Sequence, residues 1–249
     1  VSAEIDLKTA HTLQQITSLL KNEKNGLSKT KILRTLNASN GELILALEYG
    51  YENGLIAWEA GNWIRYKRDY SVPEELFYPV IEKAISDLWQ KNASEHMQFF
   101  LEKTARIDSK ISGPWTRPDF TLVSHRKFAW TIGEEYDVVT FEVKRPDSSN
   151  VLAVFEALAH ASNATRAYVV FPIGEQVWRE SCPDQEARVK DECSRHGVGL
   201  ILVDEIENTY RATEIIKARK NDIDHERVNR SLSAVMSNKG REKIAGWKR

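Results

Sequence analysis

Two apolar runs late in the chain constrain its fold most: Arg166-Ala167-Tyr168-Val169-Val170-Phe171 and Gly199-Leu200-Ile201-Leu202-Val203. Neither shows the polar–apolar alternation of a half-exposed strand, so both suit strands covered on two faces. Between them, Pro183 to His196 reads as a helix, with proline at its start and Gly197 just past its end. Strand, helix, strand of this length implies parallel pairing through a right-handed crossover. This part of the chain is therefore α/β, a central sheet flanked by helices.

Upstream, Pro146-Asp147-Ser148-Ser149-Asn150 introduces a further helix, Asn150 to Ser162. Before it stand two β-prone runs, Pro118-Asp119-Phe120-Thr121-Leu122-Val123 and Thr140-Phe141-Glu142-Val143-Lys144, each with charge where an apolar residue is expected. Asp119 opens its run. Glu142 and Lys144 are two positions apart, so on a strand they share one face and Val143 points to the other. Two carboxylates and a lysine meeting at one sheet edge are costly to bury without a partner. A divalent cation held by Asp119 and Glu142, with Lys144 beside it, removes that cost.

Pro118-Asp119, followed 23 positions later by Glu142-Val143-Lys144, resembles the PD-(D/E)xK signature of the restriction-endonuclease-like nuclease superfamily. The order of elements agrees: helix, Asp-bearing strand, Glu-x-Lys strand, helix, apolar strand, over Ser71 to Asp204. The resemblance implies a mixed central sheet and metal-dependent hydrolysis of DNA phosphodiester bonds, endonucleolytic as in most members. It implies Mg²⁺, with Mn²⁺ able to substitute, held by Asp119, Glu142 and the Val143 carbonyl. Lys144 would stabilise charge on the attacked phosphate, orient the water or act as general base. Many members carry another acidic residue on the preceding helix. Glu82, on the rim of the apolar stripe of Glu74 to Lys91, is the matching position. Several branches carry Gln and Tyr on the helix after the lysine strand, where this chain has Glu156 and His160, four apart and so on one helix face. Arg117, in the loop Gly113-Pro114-Trp115-Thr116-Arg117, is a candidate phosphate contact, and Ser124-His125-Arg126-Lys127 reads as a basic turn near the site. Cleavage of both strands would call for a homodimer.

Residues 1–70 read as a separate small α+β domain. Helices are expected at His11 to Asn22, Lys29 to Leu36 (capped by Ser28) and Gly41 to Asn53, then two β-like runs around Gly61-Asn62. Three helices followed by a hairpin resemble the winged-helix family, whose third helix usually enters the DNA major groove. Here that helix carries Glu42, Glu48 and Glu52 and no Lys or Arg, so DNA contact and protein docking or dimerisation both stay open. Val72-Pro73 marks the hinge to a nuclease-like domain over 71–204. Residues 205–249 read as a helical, basic extension, ending in a DNA-facing arm or a solvated tail.

Charge permits nucleic-acid binding without demanding it. Residues 1–70 carry 9 Lys/Arg against 8 Asp/Glu, 71–204 carry 15 against 21, and 205–249 carry 11 against 7. The acidic middle calls for cations and the basic end suits phosphate. No apolar run is long enough to span a membrane, and the start, Val1-Ser2-Ala3-Glu4, lacks a secretory pattern. Two cysteines, Cys182 and Cys193, form neither a disulfide framework nor a zinc set, which fits the cytoplasm. The rival expectation is a non-catalytic DNA-binding, regulatory or adaptor protein with a nuclease-like domain.

Overall fold

The structure is a computed structural model, and it describes residues 5–93, 97–105, 117–130, 132–207, 209–222 and 224–247. The amino-terminal Val1–Glu4 and the loop residues Gly113–Thr116 lie outside the described residues. The chain divides into two compact units, Val1–Phe77 and Tyr78–Arg249.

In the first unit, α1 (Leu7–Lys21) begins earlier than the apolar pattern announces, because the Asp6 carboxylate accepts from the Thr9 N–H at 2.7 Å and caps it. After β1 (Leu27–Ser28), Ser28 caps α2 (Lys29–Leu36) and Ser39 caps α3 (Asn40–Glu52). The strands β2 (Ile56–Glu59) and β3 (Trp63–Tyr66) follow, and β1 adds to them antiparallel in the order β1-β3-β2. Leu13, Ile16, Leu20, Ile32, Leu43, Leu47, Ile56 and Ile64 form one buried core. Gly26 turns the chain into β1 with φ +73°, and a Cβ there would stand 2.4 Å from the Ile64 carbonyl oxygen, so glycine alone fits. The outward face of α3 leaves Leu45 57% and Tyr51 55% exposed, beside the exposed Glu48 and Glu52.

The expected helix Glu74 to Lys91 is a 3₁₀ turn, Glu74–Phe77, followed by α4 (Tyr78–Asn92). Pro79 sits in the first turn of α4, where its missing N–H costs no helical bond. The second unit then runs β4 (Met97–Lys103), β5 (Phe120–Lys127), β6 (Glu134–Val143), α5 (Val151–Ala161), β7 (Arg166–Phe171), α6 (Glu175–Ser181), α7 (Pro183–His196), β8 (Gly199–Ile206), β9 (Thr209–Ile216), α8 (His225–Val235) and α9 (Asn238–Gly246). Its strands form a mixed sheet in chain order, β4-β5-β6-β7-β8-β9. The β6–β7 and β7–β8 pairs are parallel and the others antiparallel. The two late apolar runs pair in parallel, as their spacing predicts.

Helices cover both faces of this sheet. On one, Trp89 of α4 stands edge-on to Phe141 and Tyr168, with ring centroids at 5.3 and 5.8 Å. On the other, Ala153, Val154 and Ala157 of α5 and Val189 and Cys193 of α7 pack on Val169, Phe171, Leu200 and Leu202. Farther along that face, Val228 of α8 meets Val123 and Val138, with Ile244 of α9 alongside.

Two expectations are corrected. Residues 205–249 are not a helical extension throughout: 205–216 complete β8 and form β9, and only then do α8 and α9 follow. As an outer strand, β9 buries Ala212 alone, so its polar sequence shows no apolar run. Nor is Ser124–Lys127 near the carboxylates. Because β5 and β6 are antiparallel, Asp119 and Glu142 share one sheet edge while His125 to Lys127 lie toward the other, about 20–25 Å away at roughly 3.3 Å per residue. There His125 Nε2 pairs with Glu134 at 2.7 Å.

Candidate functional site

Asp119 immediately precedes β5, and its backbone is tied on both sides. Its N–H donates to the Phe141 carbonyl at 3.0 Å, and its carbonyl accepts from Thr104 and Ala105 at 2.7 and 3.0 Å. That lashing places the side chain, 8% exposed, at the end of β6. Its Oδ1 accepts from the Tyr78 hydroxyl at 2.7 Å, and its Oδ2 from the Val143 N–H at 2.8 Å.

Glu142, 7% exposed, lies on the sheet face covered by α5. Its Oε1 accepts from Lys144 Nζ at 2.5 Å and its Oε2 from His160 Nε2 at 3.3 Å. Lys144 also reaches Glu156 Oε2 at 2.8 Å. Burial works to raise the Glu142 carboxyl. The His160 hydrogen bond and the Lys144 charge outweigh it and hold the group below the ordinary carboxylate range.

The structure thus gathers Asp119, Glu142, Val143, Lys144, Glu156 and His160 at one edge of the sheet. Glu82 is half-buried, one helical turn after Tyr78 and so on the same side of α4, but it takes no place in the hydrogen-bonded cluster. Arg117 donates to the Ala234 carbonyl at 3.0 Å, at the end of α8. Sequence reasoning missed Tyr78. The available signal was its position: four residues before Glu82, it opens the helix that precedes the motif.

The donor set suits a hard divalent cation. Among the described contacts, three carboxylates (Asp119, Glu142 and Glu156) stand with one ammonium, Lys144, which leaves that set formally acidic. An ionised carboxylate offers about four acceptor sites on its two oxygens, a capacity that metal ligation can use. Among the described residues no three His, Cys, Asp or Glu side chains group as a metal-binding set. Mg²⁺ is typically held by one or two carboxylates, completed by water and substrate phosphate, and two buried carboxylates are what this edge offers.

No family model and no curated protein matches the chain. Among solved structures it is similar to the SPO1766 protein of unknown function from Silicibacter pomeroyi, with 10% identity and a TM-score of 0.37 over 70% of this chain and 91% of that one. That likeness assigns the chain no function.

Proposed function

We propose that the chain is a Mg²⁺-dependent nuclease of the PD-(D/E)xK type that cuts DNA phosphodiester bonds internally, with Mn²⁺ able to replace Mg²⁺. One observation carries the reading: the Asp119 carboxylate is tied to the Val143 N–H, at the end of the strand whose Glu142 and Lys144 pair with each other and with His160 and Glu156. The order of α4, the Asp119 strand, the Glu142-Val143-Lys144 strand, α5 and the apolar β7 also agrees with that superfamily.

When bound, a divalent cation polarises phosphate and brings the pKa of a water toward neutrality. Asp119 and Glu142 would hold it, with the Val143 carbonyl. Tyr78 and the Val143 N–H fix the Asp119 carboxylate, so it need not reorient during reaction. Lys144, held on Glu142 and Glu156, supplies the positive charge that offsets charge building on the attacked phosphate or orients the water. Cutting of both strands would use a homodimer, and the cytoplasm is the proposed location; among the described residues no helix is long and apolar enough to cross a membrane.

The first unit has the element order of a winged helix, and we read it as the DNA- or partner-binding part. One observation favours a second reading, an adaptor without nuclease activity: the exposed face of α3 presents Leu45, Glu48, Tyr51 and Glu52, a surface suited to protein more than phosphate. Supercoiled plasmid incubated with the full chain in Mg²⁺, Mn²⁺ or EDTA separates the two. Metal-dependent nicking lost in Asp119→Ala and Lys144→Ala is the expected result. Absence of cutting, together with absence of metal uptake, would leave the adaptor.

A further inference from the structure

Lys144 is shared. Its Nζ lies 2.5 Å from Glu142 Oε1 and 2.8 Å from Glu156 Oε2, so one ammonium bridges a carboxylate of the strand and one of α5. The two carboxylates differ in what else they do. Glu142 also accepts from His160 and belongs to the pair that would hold the cation, whereas Glu156 stands one helical turn before His160 on α5, within hydrogen-bonding reach of both Lys144 and Glu142. Glu156 is also firmly placed, because Ala153, Val154 and Ala157 seat α5 against the sheet.

A cation approaching Glu142 meets Lys144 on the same oxygen. Two positive charges on one partly buried carboxylate oxygen repel, and an ammonium pushed off without another partner would be left uncompensated in a poorly hydrated place. Glu156 removes that difficulty. From these contacts we infer that Glu156 is a second berth for Lys144: cation uptake at Asp119 and Glu142 shifts Nζ from Glu142 to Glu156, where it stays paired and close to the reacting phosphate. Glu156 is then a positioning residue that acts through Lys144, and the inference rests on the nuclease reading.

The test is a double-mutant cycle on Mn²⁺ affinity in the full chain, read from the electron paramagnetic resonance signal of free Mn²⁺. Wild type, Glu156→Gln, Lys144→Met and the double variant are titrated, with thermal melting to confirm folding. Glu156→Gln is expected to weaken Mn²⁺ binding about fivefold, within the range for side chains in direct contact. Lys144→Met is expected to bind at least as tightly as wild type, and in that background Glu156→Gln should have no further effect. Glu156→Asp, which keeps the charge on a shorter arm, should fall between wild type and Glu156→Gln, and serves if the glutamine variant fails to fold. Equal weakening in both backgrounds would mean Glu156 acts only as a distant charge, and would overturn the inference while leaving the nuclease reading intact. Failure of wild type to take up Mn²⁺ any better than Asp119→Asn would overturn both.

Discussion

At the scale of single residues, the site is a set of buried carboxylates oriented by donors. Tyr78 is the most telling, since its hydroxyl gives Asp119 Oδ1 a 2.7 Å hydrogen bond from another element. Tyr78→Phe keeps the ring, which stands edge-on to Phe120, and removes the hydroxyl that makes that bond. The variant should lose about 1.5–3 kcal/mol of stability, the range for a hydrogen bond to a charged group, as measured by urea unfolding. It should also bind Mn²⁺ more weakly. Unchanged Mn²⁺ affinity would remove Tyr78 from the site. Glu142 makes a pH prediction. Its folded-state pKa lies below the usual 4.5, so the stabilisation is fully present above that value and lost as pH falls through the lower folded pKa. The stability gap between wild type and Glu142→Gln should therefore narrow as pH drops below about 4.5, in urea titrations from pH 7 to pH 3. A gap that widens on acidification would contradict the assigned direction. Asp119, Glu142 and Lys144 were legible in the sequence because charge interrupts β-prone runs there. Tyr78 was not, because an aromatic residue at a helix start reads as core until the structure shows where its hydroxyl goes.

At the scale of elements, legibility followed burial. The strands β7 and β8 and the helix α7 between them were readable to within a few residues, because strands covered on both faces must be apolar throughout. The outer strands β4 and β9 were not. Each has only one neighbouring strand, and β9 buries only Ala212, so hydrogen bonding to that neighbour, rather than an apolar pattern, makes each a strand. In the first unit Gly26 was legible as a helix stop, yet its larger role is to let the chain pass against Ile64 of β3. Gly26→Ala would combine a left-handed φ with a Cβ 2.4 Å from a backbone oxygen. The cost should be at least about 2 kcal/mol, adding the conformational penalty to overpacking. A melt in which the first unit is unaffected would show that β1 tolerates displacement.

At the scale of the whole molecule, the chain forms two compact units, and none of the residues gathered at the sheet edge belongs to the first. Two compact units predict two unfolding transitions in calorimetry, one for residues up to Phe77 and one for Tyr78 onward. Gly26→Ala identifies the first by lowering it alone. A ligand that binds only the native form stabilises the unit that holds it, by about 2.7 kcal/mol at a hundred times its dissociation constant. For a unit of the second's size, each kcal/mol raises the midpoint by roughly 2–4 °C. Mn²⁺ at that level should therefore raise the second transition by about 5–11 °C and leave the first in place, and Asp119→Asn should abolish the rise. The reasoning depends on where the carboxylates sit and not on whether the chain cuts DNA, so it tests the metal site apart from the activity. A shift confined to the first transition would put the cation elsewhere. One merged transition moved by Mn²⁺ would mean that the two units unfold as one.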